Sequence, residues 1–290
     1  MDFPMAGSRL LVLFATFLMV WATSPTAQSL DCRAGFYLNP NAQCVEETLA
    51  LLSKMRGQNP TADAYFAFLG EAFRTYPDIK KRVLNSNLDE PTKRLVITSM
   101  RIAGLSSETA TKADPNAALD NISPSDNPSA NDTLISAFMA SGDTKHIKRI
   151  LANFDSADSA TIRDAIRFAL MRGKFGNGPI QLGPGRTRDW QTPMSTNACA
   201  RYDCKTNPQK MIRMLILSSA FWALESLSMR DKKIQETFKE FSNENRMKPL
   251  ILAEQAEFQN YMVMMFVYAG VQNNPKINDA LAAFEQLNPM

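Results

Sequence analysis

Apolar residues recur every three or four positions through most of the chain, and this period predicts helices. The clearest run is Thr61–Tyr76. There Ala62, Tyr65, Phe66, Leu69, Ala72, Phe73 and Tyr76 share one face of a 3.6-residue repeat. Start and stop signals frame other helices. Asp89 with Pro91 opens one that ends at Gly104, and Asp132 opens one that ends at Gly142. Asp143 caps the next, with Ile147, Ile150, Leu151 and Phe154 inward. Ser159 opens another, with Ile162, Ala165, Ile166, Ala169 and Leu170 inside and Gly173 beyond its end. Asn207-Pro208 and Asn274-Pro275 each set a cap before a first-turn proline. No alternating run reads as a strand. Start signals near 46, 61, 77 and 91 are spaced by one helix and one turn. The expected fold is therefore all-α, made of stacked αα-hairpins as in helical repeat arrays, with no significant sheet.

Polarity shifts divide the chain. Residues 106–131 are rich in Ser, Asn, Asp and Pro and poor in apolar side chains, as in a linker or mobile loop. They separate a smaller helical part over 30–105 from a larger one over 132–290. Residues 173–208 hold no helix signals and five of the twelve glycines, so they read as a long loop inside the second part. Asn121-Ile-Ser and Asn131-Asp-Thr match the glycosylation pattern.

Residues 1–29 have the pattern of a secretory signal peptide. Arg9 marks the basic region, Leu10 to Ala22 is apolar except for Thr16, and Ala27-Gln28-Ser29 supplies small residues for cleavage before Leu30. The apolar segment spans about 20 Å as a helix, too little for the hydrocarbon core of a bilayer. Asp31 ahead of Cys32 disfavours lipidation. Met211–Met229 and Leu250–Val271 are too short or too charged to span, so no membrane span is expected after cleavage. Periplasmic or secreted residence follows.

That residence changes the reading of the four cysteines, which pair in an oxidising compartment. Three pairings exist. Proximity favours Cys32 with Cys44 and Cys199 with Cys204, since closing a short loop loses less entropy. The 32 basic and 29 acidic residues leave a net charge of +3 spread along the chain, so no nucleic-acid partner is expected. One histidine excludes any metal site needing two imidazoles.

Two resemblances follow from particular residues. Phe66-x-x-Leu69-Gly70-x-x-Phe73 resembles the first-helix half of a tetratricopeptide repeat. The stretch Asp132-Thr-Leu-Ile-Ser-Ala-Phe-Met-Ala-Ser-Gly-Asp143, followed by Ile147-Lys-Arg-Ile150, resembles exported bacterial helical proteins of unknown function. The second resemblance implies a helical fold and an envelope or secreted location, and no activity.

Candidate chemistry is sparse. No nucleophile elbow, Ser-x-x-Lys pair, Walker A motif, His-Glu-x-x-His motif or EF-hand loop occurs, so no catalytic residue, metal ligand or cofactor is assigned. His146 lies off the Ile147 and Ile150 face among Lys145, Lys148 and Arg149, and is expected to be solvated. The pairs Glu236 with Glu240 and Glu254 with Glu257 share helix faces and read as solvated carboxylates. Met211, Met214, Met262, Met264 and Met265 suit Cu(I) by chemistry, but Met fills cores, and packing is the expected role. The strongest binding candidates are in the 173–208 loop: Arg186, Arg188 and Arg201 as forks for anions, Trp190 and Tyr202 as aromatic platforms. The function expected is a non-catalytic protein–protein interaction or scaffold module with a protein or peptide partner. The alternatives are an envelope or secreted hydrolase using carboxylates near that loop, and a periplasmic small-molecule or metal-binding protein.

Overall fold

The computed structural model describes residues 32–55, 62–105, 118–125, 128–183, 186–206, 208–245 and 247–270, with side chains of 182–183, 186 and 266–270 left out. The expected signal peptide, most of the 106–131 linker and the Asn274-Pro275 signal lie outside the described residues.

The fold is all-α. After a short 3-10 turn at Phe36–Leu38 come α1 Ala42–Lys54, α2 Ala62–Thr75, α3 Pro77–Leu84 and α4 Glu90–Ile102. Then follow α5 Pro128–Ser141, α6 Lys145–Asp155 and α7 Ser159–Phe175. An antiparallel ribbon, β1 Ile180–Gly183 and β2 Arg186–Arg188, leads to α8 Gln191–Tyr202, α9 Pro208–Ser228, α10 Lys232–Glu244 and α11 Met247–Gly270. Side-chain caps set several starts: Asn41, Asp89, Asp158 and Asp231 each accept a backbone N–H of the first turn. Prolines at the first turns of α3 and α4 help define their starts.

Three expectations about boundaries are corrected. The helix expected from Asp132 starts at Pro128, because Asn131 sits in its second turn with its amide donating to Ile216 O at 3.2 Å. Asn131 is fully buried, so its glycosylation pattern is closed in the folded chain. Gly173 does not follow α7 but lies inside it, where a Cβ would meet the Trp222 ring at 3.2 Å; Gly176, at φ 65°, ends the helix instead. The segment 173–208 is not a structureless loop: it contains the end of α7, the ribbon and α8.

Two apolar clusters make the core. α1–α4 supply the first, around Phe36, Leu49, Phe68, Phe73 and Met100. α5–α7, α9 and α10 dominate the second, around Phe138, Ile147, Phe154, Ile166 and Phe221. Each fully buried Phe contributes roughly 1.5–3 kcal/mol of apolar transfer energy. α5 joins the clusters. It packs along α2, placing Ala140 in the first and Phe138 in the second. Gly70 allows α2 to lie against α4, since a Cβ there would stand 2.5 Å from Ser99 O. Residues 118–125 are pinned to this body: Leu119 is buried against Ala67 and Ala137, and Arg149 donates to Leu119 O and Ile122 O.

The N-terminal turn forms a second tie. Cys32 and Cys44 stand at Cα–Cα 5.6 Å, within disulfide range. Tyr37 covers Gly142, whose φ of 67° and lack of Cβ are both needed there. The Tyr37 hydroxyl donates to Asp231 at 3.0 Å, and Lys233 Nζ donates to Gly142 O at 3.0 Å. Burial, then the bond to Asp231, raises the Tyr37 phenol above the usual tyrosine range.

α9 is 21 residues long and, among the described helices, is apolar and long enough to cross a membrane by composition. In the fold 44% of that apolar window is buried, against α7, α10 and α5 in particular.

Candidate functional site

The polar face of α7 organises one region. Arg163, Asp164 and Arg167 lie within one turn and a step of each other, and α11 presents Glu254 and Glu257 one turn apart. Arg163 Nε donates to Glu254 Oε1 at 2.5 Å, and Arg167 Nε to Glu254 Oε2 at 2.6 Å. The same guanidinium groups reach Glu257 at 3.3 and 2.7 Å. Glu254 is 0% exposed, which corrects the expectation of a solvated carboxylate. Two cations and two charge-assisted bonds offset its desolvation. The bond to Glu254 is the main cause holding Arg163 above its ordinary value. By contrast, Glu236 and Glu240 are exposed, as expected.

Asp164 faces the other way, toward α8. Arg201 Nη1 donates to its Oδ2 at 2.6 Å, as does the Tyr202 hydroxyl at 2.6 Å. Burial, then the bond to Asp164, raises the Tyr202 phenol above the tyrosine range. The following turn brings Cys199 and Cys204 to Cα–Cα 4.8 Å, in disulfide range, with Asp203 at φ 52° closing it.

Trp190 is not a surface platform. It is 4% exposed, packs with Met171, Ile180, Met194, Tyr261 and Met265, and meets Phe168 edge-on at 5.6 Å. Its Nε1–H donates to Gly178 O at 2.9 Å, which satisfies the indole in an apolar setting. Thus two of the five expected binding residues, Trp190 and Tyr202, are internal anchors, and Arg201 is engaged by Asp164. Arg188 is half-buried near Tyr261, where burial raises the phenol and the Arg188 charge lowers it. Arg186 lies in β2, and its side chain lies outside the described residues. The cavity beside this cluster, lined by Asp164, Arg167, Phe168, Met194, Asn197 and Arg201 among others, has a volume of about 10 Å³. That accommodates one water, far less than the 300 Å³ or more typical of ligand pockets. Met214 and Met265 are buried in the apolar clusters.

His146 is corrected as well. It is fully buried, and its Nε2 lies 3.4 Å from Glu71 Oε1, joining α6 to α2. Glu71 also lies 3.3 Å from Arg74 Nη1, and Arg74 continues to Asp120 and Ala103 O. The imidazole is enclosed by the core.

The second region is open. α6 and α10 run parallel, with Lys233 and Gly142 joined at one end and Asp155 and Glu244 together at the other. Between them lie two adjoining concavities of about 240 and 210 Å³. The first is lined by Lys148, Leu151, Ala152, Asp155, Thr237, Glu240, Phe241 and Glu244, and the second adds Phe154, Ile162, Asn245 and Met247. No sequence motif announces this groove, because its walls come from helices about ninety residues apart.

Comparison with known proteins returns no matching family, no similar curated protein and no similar solved structure.

Proposed function

We propose that the protein is an exported, non-catalytic helical module of a bacterial envelope or secreted fraction, acting by holding another protein. One observation carries the reading: the groups a hydrolase would use near the 173–208 segment are already engaged. Glu254 and Glu257 are tied to two guanidinium groups, Asp164 to Arg201 and Tyr202, and the neighbouring cavity has room for a water only. A general acid or nucleophile needs access to substrate and a spare proton or lone pair, and these carboxylates are committed elsewhere. Export rests on the pattern of residues 1–29 and on two cysteine pairs at disulfide distance, which favour an oxidising compartment.

The test is photo-crosslinking in the native host with a benzophenone side chain placed singly at exposed Leu51, Ala152 or Trp222, on α1, α6 and α9. A discrete adduct at one position and not the others is the expected result, together with a mature N-terminus at Leu30. No adduct at any position, or an unprocessed cytoplasmic chain, overturns the reading.

A further inference from the structure

We infer that the Cys199–Cys204 disulfide is a redox-sensitive latch: an external dithiol opens it, and its opening loosens α8 from α7 while the rest of the core stays closed. The latch goes beyond the proposed holding role and does not depend on it.

α8 is thinly packed. Of its twelve residues, Met194 and Tyr202 are buried. Its first turn is anchored by Trp190, which packs with Met194 and Met171. Its last turn is held by the two residues next to each other between the cysteines: Arg201 and Tyr202 both donate to Asp164 of α7. The turn that follows has a backbone shape that side chains resist. Asp203 stands at φ 52°, a region that residues other than glycine seldom adopt, and Cys199 O accepts the N–H groups of Asp203 and Cys204. The disulfide closes across five positions of sequence, so it fixes this turn directly. With the bond open, Asp203 relaxes to negative φ, the last turn of α8 frays, and Arg201 and Tyr202 are drawn off Asp164. Phe168 and Met214 line the cavity of about 10 Å³ beneath the helix, and they become accessible to water when it loosens.

The two cysteine pairs differ in how readily a thiol opens them. Cys44 is 1% exposed and packs in the first core with Phe68 and Phe73. A thiolate that attacks exposed Cys32 has to expel Cys44 as an anion into apolar surroundings, where a thiolate is disfavoured. Cys199 and Cys204 are both partly exposed, and Cys204 lies past the end of α8 beside exposed Lys205. Here an incoming thiolate bonds to Cys199 Sγ, the disulfide breaks, and Cys204 leaves as a thiolate that water and Lys205 stabilise before it takes a proton. The second thiol of the reductant then attacks the mixed disulfide and releases Cys199, which is protonated in turn. The protein gains two electrons and two protons, and the dithiol becomes a cyclic disulfide.

The test treats the full chain with dithiothreitol, traps thiols by alkylation at timed intervals, and follows each cysteine peptide by mass spectrometry, with hydrogen exchange measured on the same samples. The expected result is that Cys199–Cys204 opens faster than Cys32–Cys44 by about threefold or more. Exchange within 191–206 then rises by about threefold or more, while α6 and α9 change by less than about twofold. Cys199→Ser/Cys204→Ser shows the same rise without reductant, and Cys32→Ser/Cys44→Ser still shows it with reductant. If a variant does not fold, the reduction of the unaltered chain decides alone. A smaller difference in opening rate, a smaller rise in α8, or a rise shared by α6 and α9 overturns the inference.

Discussion

The polar face of α7 and the groove between α6 and α10 are built from similar groups and use them in opposite ways. Around α7, six charged side chains and a tyrosine close on one another, most at distances near 2.6 Å, and one of them, Glu254, is out of reach of water. In the groove, Asp155, Glu240 and Glu244 are exposed, without an ion pair among the described residues, above core side chains that scarcely reach the surface. The first arrangement is architecture: it fixes α11 and α8 against α7. The second leaves its charges to solvent, which screens them. Charge count alone does not separate these cases; satisfaction does.

The comparison can be broken by substitution, starting where the effect is largest. Glu254→Gln leaves Arg163 and Arg167 without their shared anion and lowers unfolding free energy by about 3 kcal/mol, the low end for a broken buried pair because Arg163 reaches solvent. Glu257→Gln, at the wetter edge, costs under about 1 kcal/mol. Urea denaturation checks both, and equal losses would mean that the network is not centred on Glu254. Asp164→Asn keeps the shape but weakens the bonds from Arg201 and Tyr202, for a loss of about 1–2 kcal/mol after allowing for the exposure of Arg201.

A smaller effect separates the same groups by pH. The folded Tyr202 phenol titrates above its unfolded value of about 10. Its contribution is complete below that pH and is lost as pH rises toward the folded value. Tyr202→Phe should therefore flatten the decline of the urea midpoint on the alkaline side, and phenolate absorbance should show the delayed ionisation directly. The smallest effect is on the open side. Glu240→Gln removes repulsion with Glu244 and changes stability by no more than about 0.5 kcal/mol, in the stabilising direction. A loss of several times that would show that Glu240 has an internal partner and remove it from the groove.

Much of the framework was legible in the pattern of residues. The stripe from Ala62 to Tyr76 is α2 almost to the residue, because its period is unbroken, although Ala67 and Phe68 off the stripe are buried too, by a second face the period does not mark. Short-range cysteine pairing was readable because loop closure is a local property. His146 departs from the sequence pattern for a physical reason: Ile147 and Ile150 mark one buried face of α6, but α2 covers a second face that carries a polar residue. Trp190 and Tyr202 are buried against the pattern because Gly, Pro and Arg signal an open loop, whereas two short strands and a disulfide-distance turn fold that segment onto α7. For Glu254 a signal existed. Arg163 and Arg167 repeat at the spacing of one helical turn, and so do Glu254 and Glu257, a match of complementary ladders that composition does not display. The groove had no comparable signal beyond Glu240 and Glu244, since only the parallel docking of α6 and α10 creates it.

The bond from Tyr37 to Asp231 spans 194 positions. During synthesis Tyr37 leaves the ribosome long before the residue that receives its hydroxyl. Phe36 already packs on Phe68 and Tyr76 within the leading half, but the bond that completes the hold on Tyr37 forms only when α10 is in place. Truncation from the C-terminal side should thus unsettle the opposite end of the molecule, a dependence that local secondary structure would not suggest.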